Sequence, residues 1–210
     1  MVDASTTPPG PATRDGSSEP RAGRLHTGAY ALMALSGVIG LIASLILSID
    51  AVKLAEDPLA DLGCNVSSTI SCGTVGLSWQ ASLLGFPNAF LGLIAQPIVI
   101  MLGVIGLAGV RLPRWFMLAA QAGYTIGLGF AIWLFAQSYF VIGAICPWCT
   151  VLYVSTLVAF ATITRINILD GHLGAWAQRT LRRPLQLGAD TALVVIILAI
   201  VAAMVLYKYV

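Results

Sequence analysis

The sequence predicts an all-α membrane protein with five transmembrane helices, and three observations predict it. Of 210 residues, 58% are hydrophobic and only 10% are charged, against roughly 25% charged in an ordinary soluble domain. Mean hydropathy is +0.90. The apolar residues also collect into five charge-poor runs, joined by polar links, with no internal repeat and no appended soluble domain in view. The formal net charge is +2 and the basic residues fall in short scattered clusters, a pattern that offers nothing to nucleic acid.

Residues 1–24 hold Pro8, Pro9, Pro11 and Pro20 among Ser, Thr, Gly and Asp, and almost no large apolar side chains, so a disordered tail is expected. From Ala29 to Ile49 the chain is nearly all apolar, which suits a hydrocarbon core of about 30 Å at about 1.5 Å per residue. A signal peptide fits less well, because its apolar region is only about 7–15 residues long. Residues 50–85 form the longest polar segment between spans, with Asp50, Lys53, Glu56, Asp57 and Asp61, then Cys64, a Ser/Thr cluster, Cys72 and Ser78. A second span is expected from Pro87 to Ala108, kinked at Pro97 unless neighbouring helices satisfy the freed carbonyl. A third runs from Trp115 to Phe135 and carries Gly123 and Gly127 at the spacing that packs helices closely. The uncharged residues 136–145 read as a loop leading to Cys146-Pro147-Trp148-Cys149, where the fourth span begins and runs to about Ile163. A basic, partly amphipathic segment over 166–188, with Arg179, Arg182 and Arg183 beside Trp176, should lie on a membrane surface. The fifth span starts at Ala189, and Tyr207, Lys208 and Tyr209 close it as interfacial anchors.

Charge placement orients the five spans. With the N-terminus in the cytoplasm, Arg14, Arg21, Arg24, Arg111, Arg114, Arg165, Arg179, Arg182 and Arg183 lie inside, nine of the 11 Lys and Arg, leaving Lys53 and Lys208 outside. That orientation sets Cys64, Cys72 and Cys146 on the outer face, with Cys149 just beneath it, on the side where disulfides persist in bacteria. His26 and His172 fall on the inner side and need no catalytic role.

The four cysteines carry the chemistry. A CxxC pair cycles between dithiol and disulfide with little backbone movement. With Pro147 at the first helical position, Cys146 becomes the N-cap residue and Cys149 falls in the first turn, where free N–H groups and the helix dipole favour a thiolate. Cys149 then lies about 4.5 Å deeper than Cys146, and Tyr153 is one turn deeper on the same face. Cys64 and Cys72 enclose seven residues, a ring that could close as a disulfide. An exposed, movable dithiol there could collect electrons from a partner. Asn88 follows Pro87 at the outer end of the second span, at about the depth of Cys149, where its amide can donate to a carbonyl.

Plainer readings compete. All four cysteines could hold zinc, although the eight-residue offset and the intramembrane position fit poorly. The loop pair could be a purely structural disulfide in a membrane scaffold without enzymatic activity, and Asn88, Tyr153 and Ser78 could be capping, interfacial and loop residues. A quinone reductase of the DsbB type would have the same net reaction on a different framework, but there the CxxC precedes the spaced pair and here it follows.

The order Cys-x7-Cys, a serine six residues on at Ser78, a span opening with Phe86-Pro87-Asn88, and CPWC with a tyrosine four residues on resembles the vitamin K epoxide reductase family in a bacterial form, over about residues 29–165. The resemblance implies a four-helix bundle around a quinone site over 25–165 and a fifth peripheral helix over 189–210. It implies catalytic roles for four cysteines: Cys64 and Cys72 as a shuttle pair, Cys146 as its acceptor and Cys149 as the sulfur that engages the quinone. Asn88 and Tyr153 fall where that family places hydrogen-bond donors to the quinone, and Ser78 where it places a serine supporting the loop. The cofactor would be a membrane quinone, menaquinone or ubiquinone, and no metal is expected. Many bacterial members carry a fused thioredoxin-like domain after the fifth span. None follows before Val210, so a separate thioredoxin-fold, DsbA-like partner is expected, at the bacterial cytoplasmic membrane.

Overall fold

The computed structural model describes residues 19–209, with side chains over 27–207. Within that range the chain is helical: α1 (Glu19–Glu56), a short α2 (Cys72–Gly76), a 3-10 turn (Trp79–Ser82), α3 (Ala89–Leu107), α4 (Arg114–Ala136), a π-helical turn (Gln137–Ile142), α5 (Pro147–Leu169), α6 (Ala175–Gln186) and α7 (Ala189–Tyr209). Five of these, α1, α3, α4 with its π extension, α5 and α7, are long and apolar enough to cross a membrane. Such helices satisfy every backbone polar group internally, which is what hydrocarbon requires. The expected tail falls outside the described residues up to 18, and the backbone is already helical from Glu19.

Helices α1, α3, α4 and α5 form the bundle, with α1 against α3 and α5, and α4 against α5. α7 stands at the periphery, touching α5 and α6. The α1–α3 seam runs antiparallel, as its contacts show: Gly92 meets Ser44, Gln96 meets Gly40, Val99 meets Gly37, Gly103 meets Ala34 and Gly106 meets the ring of Tyr30. A methyl added at Gly103 would stand 2.7 Å from the Ala34 backbone nitrogen, so the backbones approach as closely as small residues allow. The glycine pair expected to do this, Gly123 and Gly127, meets nothing within 4 Å. Close packing depends on which faces two helices present to each other, and those two glycines face away from the bundle.

Polar side chains bind the remaining seams. Tyr124 donates to the carbonyl of Ala95 (3.1 Å), joining α4 to α3, and Asn167 Nδ2 donates to the Met117 carbonyl (3.2 Å) and to Gln121 Oε1 (3.0 Å), joining α5 to α4. Ser155 on α5 donates to the Ser36 carbonyl on α1. Arg165 and Asp190 pair at 2.6 Å, holding α7 to the far end of α5.

Two boundaries differ from the pattern of apolar runs. α1 continues through Asp50 and Lys53 to Glu56, because a helix needs only its own backbone bonds to extend past the hydrocarbon. Residues 137–142, expected as loop, prolong α4 as a π turn, and the chain reverses only at Gly143, whose φ of 78° is left-handed. Pro97 lies inside α3.

Candidate functional site

All four cysteines gather at one end of the bundle. The local sequence does much of this. Cys146 caps α5 with extended backbone (φ −96°, ψ 118°), Pro147 takes the first turn, and the Cys149 N–H donates to Cys146 Sγ at 3.3 Å. The loop is fastened beside it by one parallel β-bridge between Ile70 and Ile145: Ser71 N–H donates to the Ile145 carbonyl (3.1 Å) and Ile145 N–H to the Thr69 carbonyl (2.8 Å). Cys146 follows that bridge at the next residue and Cys72 two residues on, after Ser71, and the two are brought face to face.

The result is an ordered line of sulfurs. Cys64 and Cys72 are joined as a disulfide, while Cys146 and Cys149 are thiols. Cys146 Sγ lies 3.4 Å from Cys72 Sγ, close to van der Waals contact. Leu54 and Leu62 cover the cluster, with Trp148 against it. The loop pair is therefore not exposed, contrary to the expectation of an open dithiol: relative exposure is 8% at Cys64, 3% at Cys72 and 1% at Cys146. Apolar cover arises from Leu62 in a segment that reads as polar by composition, which is why the sequence hides it. The ranking leaves Cys64 the most reachable of the three.

The Cys146 thiol is held below the ordinary thiol value. The hydrogen bond from the Cys149 thiol is the largest cause and outweighs burial, and the backbone N–H groups of Cys149 and Trp148 add to it, while the Asp50 carboxylate opposes it. A thiol that ionises readily is both a better leaving group and a more available nucleophile. Cys146 is thus suited to exchange in either direction.

Several residues that the sequence did not single out shape the site. Asn65 Oδ1 accepts from Ser71 Oγ and from Gly73 N–H, each at 3.0 Å, fixing the start of α2 beside Cys72. Ser78, expected to support the loop, donates to the Val75 carbonyl at 2.6 Å and begins the 3-10 turn. Asn88 Nδ2 donates to the Gln80 carbonyl at 2.6 Å, and its Oδ1 is buried without a partner among the described residues. Gln80 in turn donates to Gln137 at 3.3 Å. Phe135 stacks on Tyr153 with ring centroids 5.4 Å apart, and Tyr153 is buried with Leu128, Leu157 and Val201. Asp50 Oδ2 lies 3.7 Å from Cys64 Sγ. The signal for Asp50 was available, since an acid at the end of an otherwise apolar span is costly without a purpose. Gln80 and Asn65 carry no such signal, being polar residues in a polar loop.

No curated protein matches the chain. Residues 31–164, however, match the profile of the Vitamin K epoxide reductase family, a stretch that holds all four cysteines and the helices that carry them. The match spans more than half of the sequence, and the chain belongs to the vitamin K epoxide reductase family of membrane thiol–disulfide oxidoreductases.

Proposed function

We propose that this protein is a quinone-dependent thiol oxidase that reoxidises a separate thioredoxin-fold, DsbA-like dithiol oxidase outside the cytoplasm and so supports disulfide formation. The observation that carries the reading is the 3.4 Å approach of Cys146 to Cys72 while Cys72 is bonded to Cys64. A structural disulfide has no need of a buried, readily ionised thiol against one of its sulfurs.

The relay follows from the line of sulfurs. A partner thiolate attacks Cys64, the least buried of the clustered three, and Cys72 leaves as a thiolate. The partner's second thiolate then attacks the partner sulfur bonded to Cys64, which completes the partner's disulfide and releases Cys64. When Cys146 is bonded to Cys149, the freed Cys72 attacks Cys146, and Cys149 departs with the bonding electron pair in the first turn of α5, at the positive end of the helix dipole. Cys64 then displaces Cys146 from Cys72 and restores the loop disulfide. This leaves the arrangement seen here, with an oxidised loop and a reduced CxxC.

A membrane quinone supplies a two-electron, two-proton acceptor for the reduced CxxC. Asn88 and Tyr153 are the residues that would hold it. Asn88 Nδ2 gives one hydrogen to the Gln80 carbonyl and keeps its second for a quinone carbonyl, and the Phe135–Tyr153 stack provides a flat aromatic wall one turn below Cys149. The excess of arginine at the end opposite the cysteines supports an N-terminus in the bacterial cytoplasm and a site on the outer face of the cytoplasmic membrane.

Proteoliposomes containing the full chain test the reading. A reduced DsbA-type protein should be oxidised only when ubiquinone or menaquinone is present, and Cys149→Ala should abolish this. Oxidation at an unchanged rate without quinone, or by the Cys149→Ala protein, sinks it.

A further inference from the structure

Asp50 lies near the end of α1, half-buried, and its carboxylate points into the sulfur cluster. Its oxygen and the sulfurs of Cys64 and Cys72 all lie within 4.8 Å of one another. With Cys64 in a disulfide, the 3.7 Å approach of Oδ2 to Cys64 Sγ is a contact without a proton. Once Cys64 is a thiol, the same separation is a hydrogen bond from sulfur to carboxylate. Among the described residues Asp50 has no ion-pair partner, so the carboxylate is not placed here to hold a helix to its neighbour.

Resting on the relay above, we propose that Asp50 is the proton acceptor for Cys64 when Cys64 closes the loop disulfide. Before that step Cys72 is bonded to Cys146 and Cys64 is a thiol. An ordinary thiol is only a few per cent ionised near pH 7, and only the thiolate attacks. The Cys64 proton passes to the Asp50 carboxylate, and the Cys64–Cys72 bond forms. The Cys72–Cys146 bond breaks with its electron pair going to Cys146. Cys64 is oxidised, Cys146 is reduced, and Cys146 leaves as a thiolate held by the Cys149 N–H at 3.3 Å. Half-exposed at the end of its helix, Asp50 returns the proton to water.

The sulfur beside Asp50 is also the one the partner must reach. The charged and titratable groups around Asp50 are Lys53 on its own helix, Cys64 and Cys72 from the loop, and Cys146 and Cys149 from α5.

The test needs no quinone, so its failure is separate from failure of the quinone-linked reading. Fully oxidised protein in detergent receives one equivalent of dithiothreitol, is quenched with acid at intervals and alkylated, and its cysteine pairs are mapped by mass spectrometry. Wild type should settle as Cys64–Cys72 disulfide with Cys146 and Cys149 alkylated. Asp50→Asn should accumulate the Cys72–Cys146 species and close the loop about tenfold to hundredfold more slowly at pH 7, with the deficit shrinking toward pH 9 as Cys64 ionises unaided. Asp50→Glu should recover most of the rate, and all three proteins should elute alike in gel filtration. Equal closing rates in wild type and Asp50→Asn at pH 7, or a deficit the same at every pH, overturns the proposal. Wild type that never moves electrons from the loop to the CxxC overturns the relay and this proposal with it.

Discussion

Replacing both Cys64 and Cys149 with serine leaves Cys72 and Cys146 as the two remaining cysteines, and the structure predicts that they join without backbone movement. Their sulfurs stand 3.4 Å apart, and a disulfide needs about 2.0 Å, so about 1.4 Å must be closed. Shared between the two side chains, that is a rotation of about 25° at each χ1, costing about 0.5–1.5 kcal/mol apiece. A total near 2 kcal/mol weakens the equilibrium about thirtyfold, since about 1.4 kcal/mol is a factor of ten. Well-oriented groups start from effective concentrations of about 10⁵ M or more. The pair therefore still outcompetes millimolar glutathione by a wide margin. In a glutathione redox buffer the double variant should be almost entirely cross-linked, read as one peptide pair in a non-reducing digest. Two separate glutathione adducts at Cys72 and Cys146 would refute the claim that these sulfurs are set for exchange.

Three further outcomes follow from the same coordinates. Cys146 should titrate below an ordinary thiol by thiolate absorbance, and Cys149→Ala should move it upward by removing the main cause. Because the folded value is the lower one, the stabilisation from this group is complete above the unfolded thiol value and drains away as pH falls through the folded value. Gly103→Ala should lower the thermal midpoint in detergent, corresponding to about 1–3 kcal/mol of overpacking at the Ala34 backbone. Gly123→Ala, with nothing within 4 Å, should not. Asp190→Ala should strand Arg165 partly buried at a cost of about 3 kcal/mol, making α7 sensitive to protease while the Cys64–Cys72 disulfide persists.

The spans were legible because hydrocarbon imposes length and apolarity on every residue run that crosses it, and the CPWC cap was legible because Pro147 announces a helix start. The details around the sulfurs were not. Asp50, Lys53 and Glu56 look like loop by polarity, yet α1 carries them on in helix and thereby delivers Asp50 to Cys64. Residues 137–142 lack charges and also lack a turn signal before Gly143, so nothing local distinguishes a loop from a π turn. Burial of Cys64 and Cys72 depends on Leu54, Leu62 and Cys146 arriving from three separate segments. Gly123 and Gly127 have the packing spacing but meet nothing, while Gly37, Gly40, Gly92, Gly103 and Gly106 make the close approaches without it, since a pattern on one helix says nothing about its partner.

The single bridge between Ile70 and Ile145 makes residue count, rather than residue identity, the quantity the site must keep. Its bonds are between backbone groups, so many side chains are tolerated at either position. An inserted residue between Ile70 and Cys72, or between Ile145 and Cys146, would shift one sulfur along its segment and break the 3.4 Å approach. Two segments drawn from distant parts of the chain are thereby measured against each other like the marks on a vernier, with Cys72 and Cys146 as the graduation that coincides. Cys64 is tied to that register through its bond to Cys72 and, at 8% exposure, is the sulfur of the three nearest to solvent.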